Sequence, residues 1–339
     1  MKSIVLLLPI LALSLTGCSN GEEASSSSAL TPEEIYQVEH GVKPTFNEEK
    51  TSLTYGLYPQ TLIEDEELLG KLNALGDSDK TTCGWYMLDG DYYVKDVATP
   101  KANSVLFEDG KEYWFKCEPI RWYILNYDKA NSEYFLLSSV ILDAQAYYEG
   151  YGEREEIDLD DTSENPGKVT VKANNYKYSD IRRFLTNDFY NSAFSLHSDY
   201  VLTTHVDNGP KSADQEENPY LCEDTDDKVF ILSYQDYLNE DLGFNGSKSS
   251  DYWETSTRVD QHSRKAELTD YATSKDKRIT FNSCTRTPEV DGYGLIWSIA
   301  DGGSLQITYA SGTKIGYNTD NYKPEEWGYG VRPAITIKF

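Results

Sequence analysis

An α+β domain is what this sequence predicts. Antiparallel hairpins alternate with short amphipathic helices, and no parallel β-α-β array is spelled out. No period of a solenoid recurs along the chain.

Taken in order, the first element is a short helix in "TPEEIYQVEHG". Thr31 is its N-cap, Pro32 its first helical residue, Glu34 completes a capping box and Gly41 stops it. "YGLYPQT" (Tyr55 to Thr61) reads as a strand running into a turn. "EDEELLGKLNALG" is a helix with Leu68, Leu69, Leu72 and Leu75 on one face. "WYMLDGDYYV" is a hairpin, because Asp89-Gly90 suits a primed turn between two aromatic runs. Two long strands follow in "EYWFKCEPIRWYILNYDKANSEYFLLSSVIL", turning at Asp128 to Ser132, and place Trp122 in the core. Residues 149–175 are acidic and irregular, hence loop. "YSDIRRFLTNDFYNSAF" is helical, capped by Ser179, with Ile181, Phe184, Leu185 and Phe189 on one side. "DKVFILS" is a strand and "YQDYLNEDLGF" a short helix. Residues 245–262 are loop, and "SRKAELTDYATSK" starts helical at Ser263. "GYGLIWSIADGGSLQITYA" is a second hairpin, turning at Asp301-Gly302-Gly303, with Trp297 in its strand pattern. The apolar alternation of Val331, Ala334, Ile335 and Ile337 closes the chain as a strand, and Pro333 suits an edge or a bulge in it.

The N-terminal segment carries an address. Lys2 precedes the apolar run "IVLLLPILALSL", of the length secretory signals use and short for a membrane span. "LTGC" follows and is similar to a bacterial lipoprotein cleavage site, which implies removal of residues 1–17 and lipid on Cys18. Acyl chains contribute about 0.8 kcal/mol per buried CH₂, so two or more of them anchor firmly. "SNGEEASSSSAL" continues residues 18–30 as a flexible tether reaching about 40 Å. Residues 31–51 are helix and lead-in, and 52–339 one globular domain.

The net charge is −26, and one unit lower without Lys2. Such a chain repels nucleic acid and anionic lipid headgroups, so the membrane is met through the lipid anchor alone. Four cysteines remain beyond Cys18: Cys83, Cys117, Cys222 and Cys284. None forms a Cys-x-x-Cys pair. Outside the cytoplasm an even count predicts two disulfides, and the shorter loops favour Cys83–Cys117 and Cys222–Cys284. The first would contribute about 4 kcal/mol on a loop-entropy account. Four reduced, buried thiols are the alternative.

"YGLYPQT", "EPIRWYIL…YFLLSSVILDAQAYY", "SDIRRFLTNDFYNSAFS", "DKVFILS", "LTDYATSK" and "YGVRPAITI" occur in one order. In this order they resemble a bacterial extracytoplasmic domain family of unknown function, over residues 52–339. That family is similar, more distantly, to the C-type-lectin-like fold shared with the formylglycine-generating (sulfatase-modifying) enzymes. The resemblance implies one domain whose N- and C-terminal strands meet in one sheet. It implies little about activity.

Formylglycine generation needs a reactive cysteine pair, and Cys284 stands alone in "NSCTRTP". Gly-x-Ser-x-Gly is absent, and the four histidines include no helix-spaced ligand pair. Asp158, Asp160 and Asp161 in "EEIDLDDTSENP" are hard oxygen donors that suit calcium, although Thr162 breaks the EF-hand template. Twenty-seven tyrosines and six tryptophans offer rigid amphipathic contact area. The loop aromatics Tyr147, Tyr148, Tyr151, Tyr252 and Trp253 are candidate ligand contacts. Arg332 either grips a ligand or ties down a carboxylate, the second being the simpler role. The reading is a membrane-anchored surface lipoprotein whose lectin-like domain binds a glycan or a surface protein without catalysis. A cell-envelope hydrolase with paired carboxylates is the alternative, ahead of a solute-binding lipoprotein.

Overall fold

A computed structural model describes residues 31–100, 104–148, 153–154, 171–210, 218–244, 246, 263–275, 283–290, 294–300, 303–310 and 329–339. The fold is mixed α+β, built mostly from antiparallel sheets with few helices. Helix α1 (Pro32–Glu39) carries the expected Thr31/Glu34 capping box. Strands β1 (Thr45–Phe46) and β2 (Ser52–Leu62) follow. Helix α2 (Glu66–Leu72) is capped by Asp65, and its leucines pack together on Trp114. The hairpin of β3 (Tyr86–Leu88) and β4 (Asp91–Val97) turns at Asp89-Gly90, both at positive φ as a primed turn requires. The next hairpin joins β5 (Glu112–Asp128) to β6 (Glu133–Ser138).

Strand β5 is the spine. One edge pairs with β2 along its length, whereas the other pairs first with β4 and then with β6. Trp122 is fully buried on it and donates its indole N–H to the Tyr55 carbonyl at 2.7 Å.

The chain then turns a corner. Strand β7 (Asp143–Gln145) leaves the large sheet and later pairs with β15 (Tyr329–Val331). Strand β16 (Ala334–Lys338) re-enters the large sheet beside β6. The first and last strands therefore share one seven-stranded sheet, although β16 pairs with β6 and not with an early strand. Residues 200–202 and 230 cover the outer edge of β16 through backbone hydrogen bonds.

Smaller pieces complete the fold. The pair β8 (Glu153–Arg154) and β9 (Val171–Lys172) precedes a helical segment made of α3 (Asp180–Phe184), a π-helical turn over Leu185–Phe189 and α4 (Tyr190–Ala193). Then come β10 (Thr204–Val206) and β11 (Thr225–Asp227), helix α5 (Asp270–Lys275), and the sheet β12 (Ser283–Pro288), β13 (Leu295–Ile299) and β14 (Leu305–Tyr309). Three expectations need correction. "DKVFILS" (residues 227–233) shares only Asp227 with β11 and otherwise makes a single bridge, Phe230 to Ala334, because its backbone is divided between β16 and the Arg286 N–H of β12. "YQDYLNEDLGF" forms two 3₁₀ turns. The last helix begins at Asp270, not Ser263, because residues 267–269 are drawn into backbone pairing with Ile141. Among the described residues no helix is long and apolar enough to cross a membrane.

Two glycines set the curvature of β2. Gly56 sits at φ 76 where the β2–β5 register shifts, and its N–H donates to the Gly41 carbonyl at 2.8 Å. A Cβ at Gly56 would lie 2.8 Å from the Phe194 ring and 2.9 Å from the Ala193 carbonyl. The Gly56→Ala variant is therefore expected to lose about 2 kcal/mol of stability in denaturant unfolding, from left-handed strain plus overpacking. An unchanged midpoint would refute the close approach.

Candidate functional site

The segments that carried the resemblance are tied to distant parts of the chain by a frame of separate buried and half-buried polar contacts. Tyr58 of "YGLYPQT" donates its hydroxyl to Asp143 Oδ2 at 2.5 Å. Asp143 Oδ1 accepts the Ala144 N–H at 2.7 Å and the Gln145 amide at 3.0 Å. From "LTDYATSK", Asp270 accepts the Leu62 N–H at 2.9 Å, Tyr271 donates to Asp96 at 2.8 Å, and Lys275 pairs with Asp96 at 2.6 Å. "SDIRRFL" contributes Arg182, which forks onto Asp227 at 2.7–3.1 Å and also donates to the Lys177 carbonyl. Charged forks of this kind hold elements in register.

Arg332 is the outcome least expected. It is 1% exposed, and its Nε donates to the Ser138 carbonyl at 2.9 Å. Its Nη1 donates to the Ser263 and Arg264 carbonyls at 2.8 and 2.7 Å. Among the described residues it meets no carboxylate, contrary to the simple expectation, and it is sealed away from any ligand. Burial pulls its guanidinium below the ordinary value, opposed by Tyr237 and Tyr123. The reason is local. Pro333 has no N–H to give at the corner, and the arginine supplies donors to the corner's Ser138 carbonyl and to the buried carbonyls of Ser263 and Arg264 beside it.

Other predicted positions also change role. Tyr147 and Tyr148 are not loop contacts. They are 0% and 5% exposed, because residues 143–148 run through the core and the Tyr147 carbonyl receives the N–H groups that start α3. The four cysteines are free thiols, in place of the two expected bridges. Tyr151, Tyr252, Trp253, Asp158, Asp160, Asp161 and Cys18 lie outside the described residues. Among the described residues no cluster of three His, Cys, Asp or Glu side chains forms a metal site.

Among the described residues an aromatic surface lies where the large sheet closes on itself. From β1 through β2, β5 and β6 to β16 is four strand spacings, about 19 Å in a flat sheet. Yet the rings of Phe46 and Phe339 are 5.5 Å apart. The sheet curls until its two edges touch through side chains. Tyr134 fills the gap, 5.4 Å from Phe46 and 5.5 Å from Phe339. Tyr127, its cross-strand partner, stacks on it at 4.4 Å and 20°. Tyr200 approaches Phe339 at 6.0 Å, with His197 beside it at 5.0 Å. Tyr127 and Phe339 remain 43% and 46% exposed. Charges around these rings are already partnered: Lys338 with Glu133 at 3.7 Å, His197 with Asp199 at 3.8 Å, and Asp128 with the N–H groups of its own turn. The Tyr127–Tyr134 pair was readable from the turn between them. Phe46, Tyr200 and Phe339 arrive through long-range pairing and carried no local signal.

A separate shallow recess is lined by Asn208, Cys222, Ser233, Gln235, Arg286 and Thr287 among others. Arg286 there is engaged with Asp236 at 2.9 Å and the Ile231 carbonyl at 2.8 Å.

Residues 131–339 fit the family model described as Domain of unknown function (DUF6273), and the chain belongs to that family. No curated protein and no solved structure matches it.

Asp143 gives the pH prediction. Burial raises its carboxyl to about 6, outweighing the hydrogen bonds from Tyr58, Ala144 and Gln145 that favour the charge. A raised acid favours folding most when it is protonated in both states. Its contribution is thus full below about pH 4, is lost as pH rises to 6, and amounts to about 3 kcal/mol. Asp143→Asn should flatten that segment of the stability-versus-pH curve measured by urea unfolding. An identical slope in parent and variant would assign the titration elsewhere.

Proposed function

We propose that this chain is a lipid-anchored, extracytoplasmic binding module of C-type-lectin-like architecture that holds a glycan or another surface protein without transforming it. The observation that carries the reading is the ring set of exposed Tyr127 and Phe339 with half-buried Tyr134 between them, two of the rings mounted on β5 and β6 and the third on the residue that follows β16. Rings on strands are preorganised, so little side-chain entropy is lost when a sugar face or an apolar side chain settles on them. The net charge of −26 selects neutral or cationic ligands over anionic ones.

The anchor is Cys18, acylated after removal of residues 1–17, and residues 18–30 give the module its reach. This places it outside the cytoplasm at a bacterial membrane. A hydrolase reading draws no support from the frame, since Asp143 is enclosed by Tyr58, Ala144 and Gln145 and Asp96 is neutralised by Lys275.

The test is a glycan-array and surface-protein pull-down screen with the full chain, followed by Tyr127→Ala and Phe339→Ala. Each variant should weaken the ligand found by about tenfold or more while keeping the parent's unfolding midpoint. Binding should persist in EDTA. Undiminished binding by the double variant would move the site off these rings. Mass spectrometry should find acyl chains on an N-terminal Cys18.

A further inference from the structure

A small apolar cluster beneath the β3–β4 hairpin holds two of the four thiols. Cys117 lies on β5, 3% exposed, in register with Pro59 of β2. Cys83 is partly buried in a tight turn that the Thr81 N–H closes onto the Trp85 carbonyl at 2.6 Å, with Gly84 at φ 84. Both pack with Leu57, Trp85 and Tyr92. Cys222 and Cys284 belong to another neighbourhood, around Tyr147.

The same cluster supports the helix that follows the tether. Tyr92 shares a hydroxyl–hydroxyl hydrogen bond with Tyr36 of α1 at 2.9 Å. The His40 Nε2 contacts the Gly90 carbonyl of the hairpin at 2.8 Å. Trp85 meets the Tyr92 ring edge-on at 6.0 Å. Besides the chain's own continuation into β1 and β2, α1 is thus joined to β5 through the hairpin and this cluster.

We infer that Cys83 and Cys117 are a redox pair whose closure to a disulfide fastens the hairpin, and α1 with it, to β5. The two thiols are unequal in a useful way. Cys83 is the reachable one, beside the Thr81 hydroxyl at 3.0 Å. Burial first, and charge on Cys83 second, hold the Cys117 thiol well above its usual range, so Cys83 is the sulfur that reacts first. The Cys83 thiolate attacks one sulfur of a small-molecule disulfide and expels one thiolate. Cys117 then gives its proton to solvent, attacks the Cys83 sulfur of the mixed disulfide and expels the second thiolate. Two protein thiols are oxidised by two electrons, and one small disulfide is reduced to two thiols. The inference stands apart from the binding reading, because it uses neither the ring set nor a ligand.

The experiment treats the full chain with oxidised glutathione and maps the products by mass spectrometry without reduction. A Cys83–Cys117 linked peptide, with Cys222 and Cys284 free, is expected. Hydrogen exchange over residues 85–94 and 36–42 should slow by about tenfold or more in the bridged form. Cys117→Ala should accumulate a stable glutathione adduct on Cys83. Cys83→Ala, at a partly exposed site where folding is not at risk, should leave Cys117 unmodified. A lasting adduct on Cys83 in the parent chain, no reaction, or a bridge that leaves exchange unchanged would each overturn the inference.

Discussion

One corner organises this molecule. Between Val331 and Ala334 the chain leaves its pairing with β7 and enters its pairing with β6, and the opposing segment from Ser138 to Leu142 makes the reverse change. A pair of strands that switches sheets together leaves carbonyls without ladder partners, and Pro333 brings no donor to help. One of those needs, the Ser138 carbonyl, is met by Arg332, whose guanidinium also binds the Ser263 and Arg264 carbonyls of a neighbouring segment, and the Ser138 N–H returns to the Pro333 carbonyl at 2.9 Å. Burying a cation among neutral carbonyls is costly, so the arrangement is not a simple gain in stability. What it supplies is geometry: β16 has one place to go, and the large sheet is complete only when it arrives.

The polar frame extends the same logic. The residues one would first suspect of chemistry in the motif segments, Asp143, Tyr58, Arg182, Asp227, Lys275 and Arg332, are occupied by one another or by the backbone. Each closes a contact between segments far apart in the chain. A family can therefore share these segments through the demands of folding, while binding is left to surfaces that the motifs only position.

This division explains what the sequence could and could not reveal. Local chemistry was legible: the Thr31–Glu34 capping box, the Asp89-Gly90 turn, the Ser179 cap and the Asp128–Ser132 turn all stand where residue type and spacing put them. Tyr147 and Tyr148 misled because they precede an acidic stretch, which reads as loop. The burial of Tyr147 comes with residues distant in the chain, the start of α3 and the neighbourhood of Tyr176, Cys222 and Cys284, which a local window does not show. Arg332 misled for a different reason. Charge pairing predicts an acid opposite an arginine, but here the orphaned groups of a corner outcompete one. The curl of the sheet had one local trace, Gly56, whose role needs Phe194 and Gly41 in place before it means anything.

The curl also ties the outer surface to the frame. Phe46 belongs to β1 and Phe339 follows β16, so the two rings meet only if every strand between them holds its register. A register slip of one residue in β5 or β6 would turn Tyr127 and Tyr134 to opposite faces and separate the stack. The bulges in β2–β5 and β5–β6 bend the sheet, the corner at Arg332 delivers its last strand, and the rings close the end. A surface assembled from both edges of a sheet is rigid because its parts cannot move singly. Loops of the same composition could present the same rings, but they would first have to be ordered by whatever they bind.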